Sequence, residues 1–78
     1  MKLYASNDFL KKVKIVQDPD IQESIKSYLR KLKGCTPRMI IPELINCGNN
    51  LYCKKFSIYF MYLSVEKDRA ILIDFVMK

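Results

Sequence analysis

The chain has 78 residues, half of them apolar, and its 14 Lys and Arg against 8 Asp and Glu give a formal charge of +6. That length allows one hydrophobic core and leaves no room for a second, and the composition is that of a globular chain rather than a disordered one. Histidine is absent and glycine occurs only at Gly34 and Gly48, which excludes Ser/His/Asp and Cys/His catalytic arrangements and glycine-rich phosphate loops.

Lys2 to Ala5 reads as a short strand, with Leu3 and Ala5 on one face and Tyr4 on the other. Ser6 or Asn7 can cap a helix beginning at Asp8, in which Phe9, Val13 and Val16 repeat at helical spacing with Leu10 beside them. Lys11, Lys12 and Lys14 lie mostly on the opposite side. A second helix restarts at Asp18-Pro19-Asp20, capped by Asp18 with Pro19 at its first position, or by Asp20 with Glu23 closing a capping box. Ile21, Ile25, Tyr28, Leu29 and Leu32 form its apolar stripe, and Gly34 ends it behind Arg30, Lys31 and Lys33.

Past a loop containing Pro37, the β-branched content of Met39 to Ile45 suggests a strand. Pro42 lacks an N–H, so this is an edge strand, an irregular one, or no strand at all. Asn46 to Asn50 is a turn cluster. Leu51–Phe56 and Ile58–Val65 read as two strands joined by a tight turn or bulge around Lys55 to Ser57. A hairpin loop at Glu66 to Arg69 leads to a last strand, Ala70 to Met77. There Ile71, Ile73, Phe75 and Met77 share one face, while Leu72, Asp74 and Val76 share the other, as in a central strand covered on both sides. The order predicts an α+β fold: a short N-terminal strand and a two-helix hairpin packed on a small, mainly antiparallel sheet.

Lys2 is followed by Ser6, Asn7 and Asp8 without an apolar signal-peptide region, and Lys54, Lys55 and Glu66 to Arg69 interrupt the apolar C-terminal part. The expectation is a cytoplasmic protein with no membrane partner. Cys35, Cys47 and Cys53 have no Cys-x-x-Cys spacing and no histidine to join them, so neither a metal nor a cofactor is expected, and free thiols are.

The positive charge favours a polyanion or an acidic protein as partner. Lys11, Lys12, Arg38, Lys54 and Lys55 are the candidate nucleic-acid contacts. One chemistry is open to a chain without histidine: RNA cleavage in which the substrate's own 2′-OH attacks the adjacent phosphate. The protein then holds the strand in line, neutralises phosphorane oxygens with Lys or Arg and relays protons. Lys54, Lys55, Tyr59, Tyr62 and Lys78 are the catalytic candidates if they converge on one sheet face or its edge. Their ordinary structural roles are half-buried sheet aromatics for the tyrosines and a solvated strand edge for the lysines.

The run Leu51-Tyr52-Cys53-Lys54-Lys55-Phe56-Ser57-Ile58-Tyr59-Phe60-Met61-Tyr62, then Glu66-Lys67-Asp68-Arg69, then Ala70 to a Phe75-Val76-Met77-Lys78 ending, resembles the C-terminal half of RelE/ParE superfamily toxins, notably the HigB-like branch. Tyr4-Ala5-Ser6-Asn7-Asp8-Phe9 is similar to the strand-to-helix opening of that family. The resemblance implies ribosome-dependent mRNA cleavage, or gyrase inhibition in the ParE branch, and a cognate antitoxin that wraps the basic groove with an acidic segment. It places Lys54 and Lys55 at the basic positions before the turn, Tyr62 at the aromatic after it and Lys78 in the basic C-terminal phrase. The chain departs from the family where many members have Tyr-Arg and it has Ile58-Tyr59. Tyrosine has no fixed charge and makes no bidentate phosphate contact. Either Lys54, Lys55 or Arg38 supplies the charge, or the fold is kept without cleavage.

Overall fold

The computed structural model describes residues 1–77. The elements are β1 (Lys2–Ala5), α1 (Asn7–Lys14), α2 (Pro19–Lys33), α3 (Pro37–Ile40), a 3-10 turn (Ile41–Glu43), β2 (Ile45–Asn46), β3 (Leu51–Phe56), β4 (Tyr59–Glu66) and β5 (Arg69–Met77).

Side-chain oxygens fix where the two long helices begin. Ser6 Oγ accepts from the Phe9 amide at 3.0 Å and donates to the Ile73 carbonyl at 2.6 Å, so one residue caps α1 and ties it to β5. Helix α1 therefore starts at Asn7, one residue before the expected Asp8. Of the two caps open for α2, Asp18 is used, accepting from the Asp20 amide at 2.9 Å with Pro19 in the first turn. The carbonyls at the end of α1 are satisfied from α2, where Gln22 Nε2 donates to Val13 O and Val16 O at 2.7 and 2.9 Å.

The strand expected over Met39–Ile45 is replaced by α3 and the 3-10 turn, and only Ile45–Asn46 pairs with β3 as a two-residue edge strand. Two prolines account for this. Pro37 sits in the first turn of α3, where its fixed φ suits a helix and its missing N–H has no partner to lose. Pro42 does the same in the 3-10 turn. Ile40, which read as a strand residue, is fully buried from the helical side.

The five strands lie in the order β1-β5-β4-β3-β2. All neighbours are antiparallel except β1 and β5, which run parallel from Lys2 opposite Arg69 to Ala5 opposite Leu72. Three turns use left-handed backbone: Gly48, Asn49 and Asn50 between β2 and β3 (φ 88°, 51° and 62°), Ser57 between β3 and β4 (57°), and Lys67 between β4 and β5 (43°). Asn favours this region more than most residues, as the turn cluster implied.

Helices cover one sheet face. Phe9 and Val16 from α1 and its C-terminal end, and Ile25, Tyr28 and Leu32 from α2, pack with Phe56, Met61, Leu63, Val65, Ala70, Leu72 and Phe75. Ile21 and Leu29 flank this core half-buried, so the α2 stripe faces the sheet as its spacing required. The last strand corrects the expected alternation. The register shifts so that Tyr62 pairs with Asp74 but Leu63 pairs with Leu72, leaving Ile73 as a bulge. The bulge places both Leu72 and Phe75 in the core, while Ile73 and Met77 are 39% and 65% exposed. β5 is an interior strand, flanked by β1 and β4, yet helices cover only one of its faces. None of the helices is long and apolar enough to cross a membrane.

Candidate functional site

The β3–β4 hairpin carries four of the five catalytic candidates, and strand periodicity decides where each one points. Successive residues of a strand face opposite sides, so neighbours 54 and 55 must part company, as must 59 and 62. Lys54 lies opposite Met61 on the helix side, its Nζ 5.1 Å from the centre of the Tyr28 ring. Lys55 lies opposite Phe60 on the open face, its Nζ 6.0 Å from that ring. Tyr59 turns to the helix side and stacks on Phe75, with ring centres 5.0 Å apart and planes at 15°. Tyr62 is half-buried on the open face opposite Cys53. The sheet thus brings Lys54 to Tyr59 on one side and Lys55 to Tyr62 on the other, and the four do not converge on a single face. Lys78 lies outside the described residues.

The other basic candidates are scattered. Lys11 is exposed on α1, and Arg38 is exposed on α3. Lys12 is engaged by Asp74, its Nζ 2.8 Å from Oδ1. That contact, with the Phe75 amide donating to the same oxygen at 2.8 Å, holds the Asp74 carboxyl below its ordinary pKa.

A groove of about 880 Å³ lies between α2 and the end of β3. Its α2 wall includes Ser24, Ser27, Tyr28 and Lys31, and its other wall is Lys54 to Phe56 of β3 with the turn residue Ser57. Three consecutive strand residues line one groove when it follows the strand edge, because their side chains alternate between faces. Lys31 donates to Glu43 Oε1 at 2.6 Å, which raises the lysine pKa. Tyr28 is 7% exposed, its ring edge-on to Phe56 at 5.7 Å, and its hydroxyl is buried without a hydrogen-bond partner among the described residues. Burial, with smaller contributions from Glu43 and Cys35, pushes its pKa up to about 12. This groove brings Lys54 and Lys55 within reach of one ligand although their side chains leave the strand on opposite faces.

No family model, no curated protein and no solved structure matches this chain. The site therefore rests on its own geometry. The three thiols are dispersed, with Cys35 half-buried, Cys47 exposed and Cys53 buried. Among the described residues no three of Cys, Asp and Glu come together in a way that could hold a metal ion. Sequence reasoning passed over Tyr28 and Lys31 as groove residues. Tyr28 sits in an apolar stripe at helical spacing, and nothing in that spacing signals that its ring would form the seat of a lysine.

Proposed function

We propose that the protein is a RelE/ParE-type toxin domain of the HigB-like branch, engaging mRNA at the ribosome and inhibiting translation, with an antitoxin protein as its physiological partner. The observation that carries this reading is the chain path. A short first strand leads into a helical pair backing one sheet face and returns to lie beside the last strand of an antiparallel meander, with one sheet face left open. The resemblance implies a small antiparallel sheet backed by an N-terminal helical hairpin, and that coarse agreement supports the reading. Lys54 and Lys55 supply phosphate contacts at the hairpin, and the substrate's 2′-OH serves as nucleophile, so the protein's tasks are alignment and charge neutralisation.

A second reading has its own observation. The position where the family's arginine is expected holds Tyr59, whose ring is stacked on core Phe75, and the two hairpin lysines diverge across the sheet. These facts favour a non-enzymatic inhibitor that acts by binding through its basic surface. Induced expression with mapping of mRNA 5′ ends separates the two. Growth arrest with new cleavage sites at translated codons supports the nuclease, whereas arrest with intact mRNA, or tight partner binding without arrest, supports the binder. For the nuclease, Lys55→Ala lowers cleavage by about tenfold or more, and Tyr59→Arg raises it.

A further inference from the structure

We infer that the open face of the sheet is a self-association surface, on which a second copy of this chain packs face to face about a twofold axis along β4. Strand register lays out what that face carries. In its middle row Ile45, Cys53, Tyr62 and Asp74 stand side by side. The row toward the β4–β5 turn holds Leu51, Ser64 and Ile71, and the row toward the β3–β4 turn holds Lys55, Phe60 and Val76. Cys53 is buried on this face, and Phe60, Tyr62 and Ile71 are half-buried. The layer is therefore already packed and loses little side-chain freedom when it is covered. Tyr4 and Ile45, on the two edge strands, remain 50% and 54% exposed.

Size and charge together select a second copy as the occupant. Five strands of two to nine residues, at about 3.3 Å per residue and about 4.8 Å between strands, cover about 450 Å² in projection. Two such faces remove about 1,000 Å² from water once side-chain relief is added, which is the floor for specific association and the size of a weak, reversible one. A chain of charge +6 repels its own copy, but eight of the 14 Lys and Arg lie on the three helices, behind the sheet. On the open face Glu66 is paired with Arg69 at 3.2 Å. Lys55 lies over the Phe60 ring, and no carboxylate is within ion-pair distance of it among the described residues. Asp74 is its complement. Lys12 and the Phe75 amide both donate to Oδ1, at 2.8 Å each, which leaves Oδ2 able to accept from a second cation.

Those two residues choose the axis. A twofold along β4 keeps the rows level and lays β3 of one copy over β5 of the other, so that Leu51 meets Ile71, Tyr62 meets its own copy and Lys55 comes down beside Asp74. The two Lys55 positions are then about 14 Å apart, two strand spacings sideways and one sheet spacing across, beyond the Debye length of about 8 Å. An axis across the strands would lay β5 on β5 and set Asp74 against Asp74, a destabilising pair of like charges.

Sedimentation equilibrium of the full chain, from micromolar to millimolar concentration, reads this association apart from any cleavage of RNA. A monomer–dimer equilibrium with a dissociation constant in the upper micromolar range is expected. Tyr62→Glu puts two like charges on the axis and should weaken it about tenfold or more. Lys55→Glu and Asp74→Lys should each weaken it, and the double variant, which restores the pair with its signs exchanged, should associate more tightly than either. Lys11→Glu makes the same change of charge on α1 and should not weaken it. Circular dichroism checks that each variant is folded, and if Tyr62→Glu does not fold, the charge exchange decides alone. A chain that stays monomeric throughout, association indifferent to a folded Tyr62→Glu, or a double variant no tighter than the single ones would each overturn the proposal.

Discussion

Removing one oxygen from the core should stabilise this protein. Among the described residues the Tyr28 hydroxyl is buried without a hydrogen-bond partner, whereas its ring packs edge-on to Phe56 and beneath the Lys54 ammonium. A hydroxyl taken from water into such a place costs about 1–3 kcal/mol when nothing replaces its hydrogen bonds, and Tyr28→Phe deletes that cost while leaving the ring. The variant should gain about 1 kcal/mol, the low end of that range, since the cation over the ring is held nearly as well by phenylalanine. In a domain of this size that raises Tm by about 4–8 °C. Urea unfolding followed by circular dichroism measures it, with an unchanged m value showing that only stability has moved. Alkali sharpens the comparison. The folded pKa of Tyr28 is raised to about 12 from an ordinary 10.0, so its contribution is intact below pH 10 and is lost as pH climbs toward 12. The phenylalanine variant lacks that particular loss, and the gap between the two proteins should widen over this window. If Tyr28→Phe is less stable than the parent by about 0.5 kcal/mol or more, the hydroxyl has a partner and the reasoning fails.

Other substitutions address the joints of the fold. Ser6→Ala removes both the α1 cap and the bond to Ile73 O, and should cost about 1–2 kcal/mol by chemical denaturation. Leu32→Ala opens a cavity at a fully buried position where α2 meets the sheet, and should cost about 2–5 kcal/mol, with a smaller loss if the neighbours collapse into the space. Asp74→Asn breaks the Lys12 pair; both side chains are more than a third exposed, so the loss at pH 7 should stay below about 1 kcal/mol. Because the Asp74 pKa is lowered from 3.8, that difference should be present above pH 4 and vanish as acid protonates the carboxylate, which a pair of pH–stability curves will show. Lys54→Ala with Lys55→Ala should flatten the salt dependence of RNA binding by about one phosphate contact per residue.

Most of the fold was legible because caps, turns and periodicity agreed locally. Asp18-Pro19 and Gly34 bracket α2 as read, and the Asn46–Asn50 cluster does turn the chain. Met39 to Ile45 was not legible, since Met-Ile-Ile is apolar enough for either a buried strand or a buried helical turn and the deciding contacts come from far along the chain. The bulge at Ile73 was hidden for a related reason: Asp74 beside it is the one charged residue between Ala70 and Met77, and a single carboxylate in an apolar run does not mark where alternation slips by one. The candidate site divides in the same way. That Lys54 parts from Lys55, and Tyr59 from Tyr62, follows from odd spacing along a strand and was available from the sequence. The groove that reunites the two lysines was not, because it depends on β2 ending at Asn46 and on α2 lying alongside.

The parallel pairing of β1 with β5 joins residues that are 67 apart, as at Lys2 and Arg69. During synthesis the first strand leaves the ribosome long before its only sheet neighbour exists, and α1, which leans on β5, waits with it. Contacts of such sequence separation slow folding, because a long loop must close before they form. The β3–β4 hairpin can assemble early from local contacts, whereas the sheet closes only after the final strand has emerged. The nascent chain therefore completes this sheet only once β5 is clear of the ribosome, however early β1 and the helices have emerged.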